Sequence, residues 1–204
     1  MSPIRLTVPF AFISIAALLS LASCQPPLAP STVPDDALLT LYRDDHLRPL
    51  VVEYYAELTG DRPVALAILE TCDELSVDPS LAFSMAWNES KFNPKAVSYN
   101  PTTIDRGLFQ LNSRTFSRLS RKTVFDARSN AKQGLAFYKN AYAHLKSEEK
   151  ALGYYNSGIG LLTDRSLPRS TQAYVKKVLA DRERMDRDAI AFIYFSHDAR
   201  LALR

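Results

Sequence analysis

Cysteine is nearly missing from this 204-residue chain: only Cys24 and Cys72 occur. No second cysteine or histidine stands at metal-ligand spacing from Cys72, so no metal site is expected. Cys72 lies in the apolar run Ala65–Cys72 and reads as a small core residue. Histidine is as scarce. His46, His144 and His197 stand far apart, with no Ser-His-Asp order or HExxH pattern beside them, and read as surface residues. An excess of one charge is also lacking, since 25 basic residues face 22 acidic ones for a formal net charge of +3. That balance gives no argument for nucleic acid as a partner. Internal repeats are absent, no cofactor is implied, and a monomer is expected.

What is present begins with an N-terminal segment that does not read as fold. Arg5 precedes an uncharged apolar run from Leu6 to Leu21, the pattern of a secretion signal over 1–23. The run is barely long enough to span a membrane and contains Pro9, which weakens that alternative. Leu21-Ala22-Ser23-Cys24 resembles a bacterial lipobox, where cleavage before the cysteine is followed by acylation of its thiol (palmitate among the chains) and new amino group. A lipidated Cys24 would tie the protein to a membrane, place it in a bacterial cell envelope facing the periplasm, and preclude a disulfide to Cys72. Gln25 after the cysteine resembles outer-membrane sorting. From 24 to 45 the chain is Pro-rich (Pro26, Pro27, Pro30, Pro34) and reads as a semi-extended tether, with local helix allowed around Leu38, Leu39 and Leu41. The folded domain is expected over 46–204.

Helical signals then follow one another. Leu47, Leu50, Val51, Tyr54, Tyr55 and Leu58 recur at steps of three and four before Gly60. Pro63 opens a second stripe through Val64, Ala67, Ile68, Cys72 and Leu75. Asp78-Pro79 pairs an N-cap side chain with proline at the first helical position. The run from Leu81 to Trp87 is apolar nearly all round, which predicts a central, buried helix. Segment 93–106 (Asn93-Pro94, Asn100-Pro101, Asp105) predicts a loop or small hairpin. Further helices are expected from about Ser129 to Lys146, from Lys150 to the glycines 158 and 160, and from Thr171 to about Arg184. Arg182, Arg184 and Arg187 alternate with acids and read as a solvated face. The apolar tail Ala189–Phe195 is expected to dock, as helix or strand. The fold class is mainly α with at most a small β-hairpin or loop region.

Glu89 is the residue that carries chemistry. It falls at the end of the Leu81–Trp87 run, against Met85, Trp87 and Phe92. A carboxyl there loses hydration when ionised, and the negative end of a helix dipole further disfavours its charge. Its pKa should rise, leaving a protonated general acid near neutral pH. The bland alternative is a solvated glutamate near a helix end. An acid on an apolar wall, facing the amide-bearing segment Gly107–Asn112, is what glycosidic-bond cleavage needs.

Four ordered segments weigh against the bland alternative. Glu89-Ser90, Phe92-Asn93-Pro94, Ala96 and Ser98, then Gly107-Leu108-Phe109-Gln110-Leu111, resemble the first two motifs of the soluble-lytic-transglycosylase family of the lysozyme-like superfamily. Ala151–Gly158 is similar to the third, and Thr171–Val178 to a fourth. Together they cover roughly 66–179. The resemblance implies a lysozyme-like helical domain whose substrate is the glycan strand of peptidoglycan. It implies that Glu89 protonates the oxygen between N-acetylmuramic acid and N-acetylglucosamine. As a base, Glu89 would then activate the muramic 6-hydroxyl, which closes a 1,6-anhydro ring. By the same resemblance Ser98 and Gln110 hydrogen-bond the substrate, Ser90 orients the acid, and Tyr155 and Asn156 stand opposite it, the phenol steadying the carboxyl. Tyr174 matches more weakly, with an ordinary buried aromatic as its alternative.

The chain also departs from the family pattern. Phe109 replaces a usual methionine, and Asn112 another residue. Ile104–Arg114 is similar to specialised transglycosylases of secretion systems and to the matching segment of chicken-type lysozymes, which have a second catalytic carboxylate at the position of Asp105. Within about 5 Å of Glu89 it would support hydrolysis instead. The structural alternative for Asp105 is to orient substrate, cap a turn, or pair with Arg106 or Arg114. The alternatives are therefore a muramidase using Glu89 and Asp105, and a non-enzymatic peptidoglycan-binding lipoprotein.

Overall fold

Helices α1 (Ala37–Arg43), α2 (Arg48–Thr59), α3 (Arg62–Leu75) and α4 (Pro79–Ser90) precede a three-stranded antiparallel sheet. Its strands β1 (Val97–Tyr99), β2 (Ile104–Arg106) and β3 (Leu111–Asn112) pair in that order. Helices α5 (Arg121–Phe125), α6 (Ala127–Leu145), α7 (Glu148–Ser157) and α8 (Arg169–Ala202) complete the chain. The computed structural model describes residues 37–158 and 167–202, all within one compact unit that spans Val33–Arg204. The expected signal, Cys24, the Pro-rich part of the expected tether and Gly160 lie outside the described residues. Among those residues no helix is long and apolar enough to cross a membrane.

The architecture is mainly α, as the periodicity implies. α4 is the central helix: every residue from Pro79 to Ala86 is buried. Asp78 caps it, accepting from the backbone N–H groups of Ser80 and Leu81, and Pro79 adds its preset φ at the first turn. Tyr55 of α2 stacks on Phe83 with centroids 3.9 Å apart and meets the Ser80 hydroxyl at 3.1 Å. Cys72 is buried and unbridged.

Two expectations change on contact with the structure, and one left open between two forms is settled. The stretch assigned to the tether (24–45) contains α1, whose Leu38, Leu39 and Tyr42 are buried in the main core. Proline richness stops at Pro34, and the local helix allowed around Leu38, Leu39 and Leu41 forms as α1 and joins the core instead of the tether. The tail at 189–195 docks as a helix, one of the two forms expected. It continues α8, because Met185, Ala189 and Ile193 repeat every four residues and bury one stripe. Arg182 is not on a solvated face. Its guanidinium reaches Asp78 at 2.7 Å and Glu148 at 2.7 Å and fastens α8 to the starts of α4 and α7. Alternating charge in sequence cannot distinguish a face covered by two helix N-termini from one covered by water.

Candidate active site

Glu89 sits in the last turn of α4. Water reaches part of its side chain, yet protein atoms crowd the carboxyl so closely that burial is the largest influence on it. Burial and, less strongly, the negative charge of Asp105 raise its pKa to about 7, against a hydrogen bond that favours the ionised form. That bond comes from Tyr174 of α8, whose phenol donates to Glu89 Oε1 at 2.7 Å. The Tyr174 phenol is pushed far above its ordinary value by burial and by Glu89, so it stays a donor.

Tyr174, the weaker of the two tyrosine matches, is therefore the residue that steadies the carboxyl. The Tyr155 hydroxyl instead donates to the Phe109 carbonyl at 2.7 Å. Both phenols lie close enough to Glu89 for its charge to act on them. Asn156 is exposed, and its side-chain oxygen accepts from Thr171 Oγ1 at 3.1 Å, near the start of α8. Asn156 thus ties α7 to the helix that presents Tyr174, rather than contacting the acid. Ser90 donates to the Leu108 carbonyl at 2.7 Å and so pins the 107–110 turn to the end of α4.

The sheet brings a second group of expected residues together. Ser98 on β1 pairs in register with Asp105 on β2, and Asp105 with Asn112 on β3. Residues paired across strands share a sheet face, so these three polar side chains line one side. Asp105 accepts from Asn112 Nδ2 and from Asn100 Nδ2, each at 2.7 Å. It pairs with neither Arg106 nor Arg114. Gln110 adopts a left-handed backbone (φ +47°) and donates through Nε2 to the carbonyls of Gly107 and Ala96. Its side-chain oxygen is buried with no donor, an acceptor left open for a ligand group. Left-handed non-glycine residues are uncommon. Among the described residues five occur, and three of them are Lys91 and Phe92, just after the acid, and Gln110. Strain of that kind concentrates at functional sites.

One organising residue escaped the sequence reading. Asn130 of α6 is buried and joins three segments by three bonds, one to the 107–110 turn, one to the end of β2 and one to α5. Its Nδ2 donates to the carbonyls of Arg106 and Val124, and its Oδ1 accepts from Phe109 N. In the sequence it stands in a polar run, Arg128-Ser129-Asn130, where nothing marks it. Gly107 makes the clamp possible: at φ +79° a Cβ would stand 2.2 Å from Asn130 Nδ2. Among the described residues no group of three or more His, Cys, Asp or Glu is placed to hold a metal ion.

The family model described as "Transglycosylase SLT domain" matches residues 67–176, more than half of the chain and the whole of the site just described. The chain belongs to this family. The SLT domain accordingly spans α3 through the start of α8, with α1, α2 and the long remainder of α8 packed outside the matched region. Among curated proteins it is similar to the "X polypeptide" of Escherichia coli and of its strain K12. Each is 28% identical over 92 residues, covering 42% of this chain and 54% of the relative. The chain thus spans about half the length of the curated relatives it matches. No solved structure matches it.

Proposed function

We propose that this SLT domain is a peptidoglycan lytic transglycosylase that cleaves the bond between N-acetylmuramic acid and N-acetylglucosamine and leaves a 1,6-anhydro end. The observation that carries the reading is the Glu89 carboxyl, raised to about 7 by burial and held by Tyr174. Half-protonated near neutrality, it can give its proton to the glycosidic oxygen and then take one from the 6-hydroxyl. Ser98 offers a hydroxyl and Gln110 its unpaired side-chain oxygen to the sugars, the 107–110 turn holds Gln110 in place, and Asn112 holds Asp105 beside them. With a single such carboxyl the reaction closes on the sugar's own hydroxyl, provided that this hydroxyl is positioned ahead of water.

A second reading, hydrolysis, draws on Asp105, whose negative charge bears on Glu89. Its two oxygens are each engaged by an asparagine amide, which favours a positioning role over nucleophilic attack. Mass spectrometry of the released muropeptides decides between them, since anhydro ends are lighter than reducing ends by one water. Glu89→Gln should lower glycan cleavage by about 10²- to 10⁴-fold in a chain that stays folded. Full activity in that variant would end the assignment. We further read Leu21–Cys24 as a lipidation signal that holds the domain in the cell envelope, expected at the outer membrane. Cys24→Ser should then move the protein out of the membrane fraction, and an unchanged distribution would remove the anchor.

A further inference from the structure

The part of the fold outside the SLT match builds a feature of its own. A cavity of about 470 Å³ lies between the α1–α2 junction and the second half of α8. Leu41 lines one side, Ile190, Ile193 and Tyr194 the other, and His46 and His197 add polar groups. All six fall outside the matched residues 67–176. At this end of α8 Tyr194 and Phe195 stand 66% and 73% exposed, edge to face with ring centroids 6.4 Å apart. The charges nearby answer one another. Asp44 accepts from the backbone N–H groups of His46 and Leu47, Arg48 reaches Asp45 at 2.9 Å, and Arg43 reaches Asp73 at 2.6 Å.

The described fold begins beside this patch. α1 starts at Ala37, and Leu41 of the cavity stands four residues later, about 6 Å along the helix. Cys24 precedes Ala37 by 13 positions (37 − 24), which reach about 45 Å at most. A lipidated Cys24 therefore keeps a phospholipid surface within that distance of the patch in every copy of the chain. A tether of this length makes the second contact intramolecular, at an effective concentration on the order of millimolar. Two rings and a cavity then need not hold the domain by themselves, and a soluble partner has no such advantage.

We propose that Tyr194, Phe195 and the adjoining cavity rest on the headgroup–acyl boundary of a phospholipid membrane. The inference rests on the lipidated-Cys24 reading above and adds a non-covalent contact to it. Exposed rings, one with a polar tip, settle at that boundary, where their apolar bodies leave water and a hydroxyl stays wet. Because the neighbouring charges are paired, the contact suits zwitterionic lipid and should depend little on salt. It also leaves the cleft open. Tyr174, which holds Glu89, precedes Tyr194 by 20 positions of continuous α8 (194 − 174), about 30 Å of helix.

The test puts the photo-crosslinking residue benzoylphenylalanine in place of Phe195, or of Tyr99 as control, in the full chain expressed in bacteria. Tyr99 is more exposed, at 81%, but lies on β1. In irradiated membranes, lipid adducts at 195 should exceed those at 99 by about tenfold or more. Tyr194→Ser, at an exposed position that leaves the core untouched, should lower the yield at 195. Where the membranes hold the protein, absence of lipid adducts at 195, or equal yields at 195 and 99, overturns the proposal. Adducts to protein instead of lipid would assign the patch to a second copy or another protein and overturn it as well. Where the protein is not in the membranes, the purified chain with phosphatidylcholine vesicles at millimolar lipid decides. Lipid adducts at 195 there uphold the patch and refute the anchor alone; none refutes both.

Discussion

Between Tyr155 and Tyr174 the structure makes a division of labour that the motifs do not spell out. Tyr155 serves the backbone of the 107–110 turn, and Tyr174 serves the acid. Because the Tyr174 bond stabilises ionised Glu89, removing it leaves burial and Asp105 less opposed, and the carboxyl pKa rises further above 7. On the proposed mechanism, Tyr174→Phe should move the alkaline limb of the kcat profile to higher pH. It should also lower kcat several-fold, by about 1 kcal/mol for one lost hydrogen bond to the reacting group. Tyr155→Phe should leave that limb where it is. An identical pH profile in wild type and Tyr174→Phe would show that the phenol is only packing. The acid itself was legible because its signal is local: a carboxylate ending an apolar helix loses water whatever else surrounds it. Its phenol partner comes from 85 residues away. Nothing near Tyr174 in the sequence reveals which residue its hydroxyl meets.

At the scale of elements, the site depends on the turn at 107–110 being held from three sides. α4 reaches it through Ser90, α6 through Asn130 and α7 through Tyr155. Gly107→Ala tests the arrangement. It adds a Cβ in a left-handed backbone and drives it against Asn130 Nδ2 and the Val124 carbonyl. A loss of about 2–3 kcal/mol is expected in urea unfolding. Activity should fall by more than the unfolded fraction explains, because Gln110 moves with the turn. Unchanged stability would mean that the clamp is slack. The helices were readable from three- and four-residue spacing and from proline and aspartate at their starts; Asp78-Pro79 and Asp126 stand at helix starts. What was not readable depends on contacts distant in sequence. Asn130 is polar and follows the polar pair Arg128-Ser129, so its burial shows only once β2 lies beside α6. α8 reads as two pieces because its second half presents an apolar run, Ala189–Phe195, which hides the four-residue stripe continuing from Met185 through Ala189 and Ile193.

At the scale of the whole molecule, Glu89 and Asp78 stand out among the described residues as carboxyls that bind protons more tightly folded than unfolded. Glu89 rises from 4.5 to about 7, and Asp78 from 3.8 to about 6, each chiefly through burial, with Arg182 opposing the rise at Asp78. A raised carboxyl favours the folded state while it is protonated. Its contribution is therefore fully present below the unfolded pKa and is lost as pH climbs through the folded one. Asp44 and Asp126 shift the opposite way through backbone and cap hydrogen bonds, so their effect belongs to more acid conditions, below about pH 4. Between pH 5 and 8 the fold should therefore lose stability as pH rises. The central helix pays for this at both ends, with Asp78 at its start and Glu89 in its last turn. Glu89→Gln removes one of the two titrations while keeping shape. It should equal wild type or fall slightly below it near pH 5, and exceed it near pH 8 by up to about 3 kcal/mol. Urea midpoints for the two proteins across that range give the comparison directly. Parallel pH dependences would mean that the acid is solvated in the native fold, and a solvated Glu89 would hold no proton to donate at neutral pH.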